Sequence, residues 1–452
     1  MTIERKIIIQ LIEWQKDKYR KPLIIRGARQ VGKTTAIIDF CKRYKHNILL
    51  NLEKEADRSF FEQYKDVGKI VEHLFLKNNI NRKESSDTII FIDEIQESPA
   101  AIGMLRYFYE EFPEIHVIAA GSLLEFALKK IRSFPVGRVE YRYMHPLNFS
   151  EFLKAINHEA ALEALNFVPV KPHAEKVLLE LFNTYCMTGG MPEVVDRYVK
   201  SQTLSDLTVV FESLWQTYKD DVAKYSSNLN EGKVIKHVIN TAAYQVDRRI
   251  KFQNFGNSNY RSREVSEAFG SLDAARVIQL IYPTTDTSSP AKPDLKKSPK
   301  LQFVDTGMLN HVLGIRAEMI GMEDLSGAYK GAIIPHIITQ ELISLNEISE
   351  KKTMFWVREK KQSSAEVDIV FNYKSMLIPI EIKSGATGTL RSLHQFIGQC
   401  GHPYAVRMYA GSFSVENAKT PAGTPYFLMN LPYFLGTKLH EYVDYLINNY
   451  KL

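Results

Sequence analysis

The sequence predicts an α/β protein: a parallel sheet covered by helices in the N-terminal third, a helical middle, and a second α/β region at the C-terminus. Three observations predict it. Up to about residue 150, short continuous apolar runs alternate with helix-like segments, the pattern of strands buried on both faces by helices. The first run ends in GARQVGKT, residues 27–34, a glycine-bearing loop that leads straight into a helical pattern. The last third brings a helix-like segment, IIPHIITQELISL, and then MFWVRE, AEVDIVFNY and LIPIEIKSG, which read as strands.

Taken in order, MTIERKIIIQLIEWQKDKYR alternates apolar and charged residues as an amphipathic helix does, and it lacks the apolar core of a signal peptide. The runs PLIIRG, NILLNLE, IIFIDE and IHVIAAG are the expected strands of a nucleotide-binding sheet over residues 1–150. Residues 151–210 read as a helical lid or adaptor, with EFLKAINHEAALEAL and AEKVLLELFNTYCMTGG, the second closing on a Gly-Gly-Met-Pro stop. Over residues 211–315, KVIKHVINTAAYQV and SREVSEAFG precede AARVIQLIYP and KLQFVDTG. Short helices followed by a strand pair outline a winged helix-turn-helix. The intervening TTDTSSPAKPDLKKSPK reads as an exposed hairpin tip. Residues 316–452 form the second α/β domain.

Composition narrows the class without fixing the task. Hydrophobic residues are 45% and charged residues 24% of the 452, an ordinary globular balance that argues against disorder. The net charge of +6 is compatible with a nucleic-acid partner and does not require one. Cys41, Cys186 and Cys400 lie far apart without metal-ligand spacing, so neither a disulfide framework nor a zinc site is expected. No uncharged apolar run is long enough to span a bilayer. A cytoplasmic chain without a membrane partner is the expectation.

The loop carries the first chemistry. Gly27, Ala28, Arg29, Gln30, Val31 and Gly32 supply backbone N–H groups able to wrap a phosphate, and the following helix presents its N-terminal dipole to the same charge. Lys33 is placed to reach the β- and γ-phosphates, the Thr34 hydroxyl to bind Mg²⁺, and Thr35 to cap the turn. ATP and Mg²⁺ are therefore the expected cofactors. In IIFIDE, residues 89–94, four apolar residues deliver Asp93 and Glu94 to a strand end, where ligands of open α/β sheets bind. Asp93 would hold the metal shell; Glu94 would orient or deprotonate the attacking water. HVIAAGS ends in Ser122, either a partner of the γ-phosphate or water, or a plain strand-to-helix turn. Arg132 and Arg138 follow, and Arg138 is the candidate guanidinium for transition-state charge, with a salt-bridged turn arginine as the alternative.

These motifs, in this order, resemble the AAA-type ATPases of bacteria and archaea that join an ATPase domain to a winged helix and a restriction-endonuclease-like C-terminal domain. GARQVGKTT, FIDEIQ, AAGSLLEFA, VGRVEYRYMHPLNFSEFL, YCMTGGMPE, PKLQFVDTGMLNHVLG, and EVDIVF followed by PIEIKSG carry the resemblance over nearly the whole chain. It implies an AAA-type ATP site with Ser122 in the sensor position.

At the C-terminus, Asp368 in EVDIVF and Glu381 and Lys383 in IEIK form a D…ExK pattern, in which two carboxylates on adjacent strands hold Mg²⁺ and a lysine positions water. Glu366 would share the strand face of Asp368. The family's pattern places a further glutamate where this chain has Pro335, and Glu341 could substitute only by facing the strands. Cleavage and a retained, binding-only scaffold both stay open. Lys292, Lys296, Lys297 and Lys300 at the hairpin tip read either as phosphate contacts or as a solvated charge run, and Arg261 and Arg263 either as groove-facing or as surface charges. The favoured expectation is an ATP-hydrolysing switch or motor acting on nucleic acid, with self-association open. The alternatives are a nucleotide-gated protein-interaction module and a metal-dependent nuclease.

Overall fold

The fold is described from a computed structural model, over residues 3–122, 124, 137–226, 228–246, 248–322, 325–348, 352–360, 363–383 and 390–451. The chain divides into two compact units. The first comprises Met1–His145, Ala274–Arg276 and Asn346–Glu350; the second is the remainder.

In the first unit, β1 (Leu23–Arg26), β2 (His46–Asn51), β3 (Thr88–Asp93), β4 (His116–Gly121) and β5 (Glu140–Tyr143) form a parallel sheet in the order β2-β3-β4-β1-β5. Every residue of β3 and β4 is buried, as the continuous apolar runs predicted. Burying Ile89, Ile90, Phe91 and Ile92 stabilises the unit by about 1.5–3 kcal/mol for each side chain. On the N-terminal helix Ile7–Lys16, Ile7, Leu11 and Trp14 are buried, one stripe at i, i+4 and i+7. Strand β5, EYRY, was not expected. Its alternation is half polar, and only its pairing beside β1, Arg26 opposite Tyr143, makes it a strand.

The consequence is positional. Strands β3, β4 and β1 are neighbours, and their C-terminal residues Asp93, Gly121 and Arg26 end within about a residue of one level, because Ile92 pairs with Ala119 and Arg26 with Gly121.

In the second unit, the helix Pro172–Thr188 opens with proline in its first turn and stops at Gly189, φ 67°, as the Gly-Gly-Met-Pro signal predicted. Asp305 caps the helix Thr306–Leu313 by accepting from Met308 N at 2.9 Å, and also accepts from Gly190 N at 2.6 Å. YCMTGGMPE and FVDTG are thus two halves of one joint. Burial pushes the Asp305 carboxyl up to about 6.

Glu341 belongs to the same interior. It is fully buried on the helix Ile333–Ser344 and accepts from Phe149 N at 3.1 Å. Tyr185 Oη lies 2.7 Å from Glu341 Oε1 and 2.8 Å from Leu147 O. The single tyrosine proton can serve only one of them, so a protonated Glu341 completes the set. Burial pushes its carboxyl up to about 8, in agreement. Glu341 therefore does not substitute for the acid missing at Pro335; its side chain is bound to the helical interior.

The C-terminal sheet contains β7 (Pro283–Thr284), β9 (Met354–Lys360), β10 (Ser363–Tyr373), β11 (Met376–Ile382), β12 (Tyr404–Tyr409), β13 (Ser414–Lys419) and β14 (Pro425–Pro432), in the order β13-β14-β12-β11-β10-β9-β7. Strands β9, β10 and β11 run antiparallel; β11, β12 and β14 run parallel. The helices Leu229–Thr241 and Ser262–Ala274 precede the antiparallel pair β6 (Ile278–Ile281) and β8 (Lys300–Phe303). The segment between these strands is not the free tip expected. Pro283 and Thr284 pair with β9, Ser289 Oγ bonds Asn372 at 3.2 Å, and Lys297 pairs with Glu359 at 2.5 Å. Backbone pairing and ion pairs to the C-terminal sheet win over solvation of a polar, proline-rich run.

Candidate nucleotide site

The helix Lys33–Cys41 begins at Gly32, whose left-handed backbone, φ 90°, turns the loop into the helix. At the other end of the loop, a Cβ on Gly27 would stand 2.2 Å from the Met144 carbonyl oxygen. Only glycine fits that approach, so GARQVGKT is shaped at both ends by backbone demands. Ala28 and Val31 are buried. The Arg5 guanidinium donates to Val31 O at 2.6 Å and to His145 O at 2.6 Å. That pair of bonds fastens the loop to the chain leaving β5. Gln30, φ 60°, takes the second left-handed turn.

Lys33 Nζ donates to Gly27 O at 3.0 Å and Ala28 O at 2.7 Å, so the ammonium lies across its own loop. It is 7% exposed. Burial holds its pKa down to about 8; Glu94 and Asp93 raise it, while Arg29 and Arg276 lower it further.

Thr34 Oγ1 donates to Asp93 Oδ2 at 2.9 Å. The hydroxyl from the helix and the carboxylate from β3, far apart in sequence, thus meet at the sheet edge. Both are hard oxygen donors, the kind Mg²⁺ takes along with waters and phosphate. Burial pushes the Asp93 carboxyl up, and the Thr34 hydrogen bond opposes this. Glu94, one residue beyond the strand, has a left-handed backbone, φ 50°, and its carboxylate accepts from Gln96 Nε2 at 2.5 Å. Ser122, just past β4, is 6% exposed, and its hydroxyl has no partner among the described residues. A buried hydroxyl of this kind costs about 1–3 kcal/mol unless something binds it, which fits a group that meets phosphate or water.

Arg138 is elsewhere engaged. Its guanidinium bonds Glu110 at 2.9 Å and lies over the Tyr109 ring. Arg132 and residues 123 and 125–127 of AAGSLLEFA lie outside the described residues. Gln96, inside FIDEIQ, carries no expected role from local pattern; the short helix Ile95–Glu97 that follows the left-handed Glu94 brings its amide against Gly121 at the end of β4.

The C-terminal D…ExK residues also come together, in the second unit. Asp368 Oδ2 accepts from Ile382 N at 2.8 Å, across the β10–β11 pair, and Lys383 Nζ bonds Glu381 at 2.7 Å. Glu366 is paired with Lys300 at 2.9 Å. Lys300, expected on an exposed tip, opens β8 and joins this cluster. Burial and the Asp368 charge push the Glu381 carboxyl up to about 7; Lys383 and Lys300 pull it back. Burial also raises Asp368, against Lys300. Lysines thus compensate the acids, and among the described residues no group of three or more His, Cys, Asp or Glu is arranged to hold a metal. Among those residues, too, no helix is long and apolar enough to cross a membrane.

Residues 19–153 match the family model of an AAA domain. Residues 179–319 match that of a domain of unknown function, DUF8612, and residues 330–426 that of another, DUF4143. No curated protein matches the chain significantly. Among solved structures, a Walker-type ATPase of Pyrococcus abyssi is similar at 14% identity and a TM-score of 0.45, over 69% of this chain and 96% of that one. A STAND signal-transduction ATPase with a tetratricopeptide-repeat sensor, from Pyrococcus horikoshii, is similar at 13% identity and 0.28, over 76% of this chain and 48% of that one. Drosophila ORC bound to DNA is similar at 12% identity and 0.27, over 68% and 84%. The matched span contains the loop and the strand ends just described: the N-terminal domain of this chain is a P-loop domain of the AAA type.

Proposed function

We propose that the protein binds ATP with Mg²⁺ and hydrolyses it, and that the resulting cycle works as a switch. The observation that carries the proposal is the Thr34–Asp93 hydrogen bond at 2.9 Å, with Lys33, Glu94 and Ser122 on the adjoining elements. In this reading phosphate oxygens take over from the Gly27 and Ala28 carbonyls as acceptors for Lys33. The loop N–H groups hold the β-phosphate. Thr34 and Asp93 would hold Mg²⁺, which when bound spreads the charge that builds on the transferred phosphoryl group. Glu94 takes the proton of the attacking water, and Ser122 holds the γ-phosphate or that water.

The test is nucleotide binding by calorimetry. Lys33→Ala should abolish measurable ATP binding while its circular dichroism and unfolding midpoint stay those of the parent. Retained affinity would overturn the site.

What the cycle drives is a separate proposal. One reading takes the second unit as a lid, a winged-helix-like part and a nuclease-like part acting on nucleic acid; the helices Leu229–Thr241 and Ser262–Ala274 before the β6–β8 pair and the exposed Lys292 and Lys296 support it. The engagement of Lys297 and Lys300 by Glu359 and Glu366, and the lysine-compensated carboxylates, favour the second reading: a nucleotide-gated interaction module whose C-terminal domain binds and does not cut. Nucleic-acid binding that weakens steeply with salt and stimulates ATP turnover would decide for the first. A flat response, together with a protein partner gained or lost with nucleotide, would decide for the second.

A further inference from the structure

Gln96 sits where three features of the nucleotide site converge, and none of the roles above uses it. Its Nε2 donates to Glu94 at 2.5 Å. Its Oε1 is buried and has no partner among the described residues. That oxygen lies against Gly121, so close that a Cβ there would stand 2.3 Å from it. Ser122, with its own unpartnered buried hydroxyl, is the next residue. The side-chain amide therefore spans the ends of β3 and β4, donating to the carboxylate on one and presenting an acceptor beside the other.

An unpartnered buried amide oxygen carries a desolvation cost, and Glu94 adds the strain of a left-handed backbone. Two such costs side by side at a strand end are what a site shows when its geometry serves a ligand. A donor fixed to one carboxylate oxygen limits the rotation of Glu94 and leaves the other oxygen to accept a proton.

We propose that Gln96 is the positioning residue of the hydrolytic site. It aims the Glu94 carboxylate through Nε2, and its Oε1 and the Ser122 hydroxyl together receive the attacking water. The inference rests on the ATPase reading of the site. In the step it serves, water gives one proton to Glu94, its oxygen bonds the γ-phosphorus, and the bond to the β–γ bridging oxygen breaks, leaving ADP and phosphate.

Gly121 offers an independent perturbation from the opposite strand. Its backbone is not left-handed, and the first atom an alanine methyl would meet is the far end of the Gln96 side chain. Gly121→Ala should therefore displace Gln96 while Glu94, Ser122 and the P-loop residues are left unsubstituted.

The experiment is a double-mutant cycle on the full chain, with ATP affinity, kcat and unfolding midpoint measured for Gln96→Ala, Gly121→Ala and the pair. Each single change should lower kcat by roughly 10- to 100-fold, the scale of a misplaced reacting group, with ATP affinity unchanged and the chain still folded at the assay temperature. The pair should be no slower than Gln96→Ala alone, because the methyl then has nothing to displace. Unchanged or faster turnover in Gln96→Ala, or a further loss when Gly121→Ala is added to it, would overturn the proposal. Wild-type protein and Glu94→Gln run alongside. If the wild type does not hydrolyse ATP, the ATPase reading itself fails; if Glu94→Gln is slow and Gln96→Ala is not, only the role of Gln96 falls.

Discussion

ATP binding should be coupled to proton uptake through Lys33, and the coupling can be worked out from its surroundings. The ammonium is buried, and its pKa is held down to about 8 from an ordinary 10.5. That difference corresponds to roughly 3 kcal/mol set against the charged form. Phosphate oxygens beside Nζ favour the charged form and should return the pKa toward its ordinary value. At pH 6 free Lys33 is already protonated and uptake should be near zero. At pH 8 about half a proton should be taken up per ATP bound, and at pH 9 about 0.9. Affinity should accordingly fall between pH 8 and 10.5, by up to about tenfold per pH unit. The assay is calorimetric titration with ATP in buffers of different ionisation enthalpy, where the slope of observed enthalpy against buffer enthalpy counts the protons. Slopes of zero at pH 8 and 9, with binding intact, would refute the claim that a buried Lys33 meets the phosphates.

Two further outcomes follow from the packing. Gly27→Ala pushes a methyl against the Met144 carbonyl, so the loop must shift; steady-state kinetics should show kcat/KM for ATP down by on the order of 100-fold, and parental kinetics would argue against the close approach. Glu341, with a carboxyl at about 8 in the folded chain against 4.5 ordinarily, stabilises fully below pH 4.5 and loses that contribution as pH rises to 8, on the order of 3–5 kcal/mol. Glu341→Gln should flatten that part of the pH dependence in urea unfolding, and an unchanged slope would mean that the carboxyl titrates normally.

The parts legible in the sequence were those fixed by local pattern. β3 is an unbroken apolar run that can only be buried, and it delivers Asp93 to the sheet edge wherever the rest of the chain goes. The loop before Lys33 is likewise written in its glycines. β5 was not legible, since EYRY gains strand character only from its neighbour β1. The role of Gln96 depends on contact with Gly121, on the next strand of the sheet, which no local window contains. Lys297 and Lys300 looked like a solvated run because their partners, Glu359 and Glu366, come some sixty residues later. For Glu341 a signal did exist: it is the one acid in IIPHIITQELIS, a helix apolar on nearly every face, so that its carboxyl was bound to be buried wherever the helix packed.

Hydrolysis at this site stands or falls on Glu94. The most direct measurement is single-turnover hydrolysis of ATP by the wild type and by Glu94→Gln, with ATP affinity measured on the same samples. Equal affinity and a rate lower by roughly 100- to 10,000-fold in the variant are the expected result. Hydrolysis by Glu94→Gln at the wild-type rate would show that the strand-end carboxylate is not the base and that the site does not work as described.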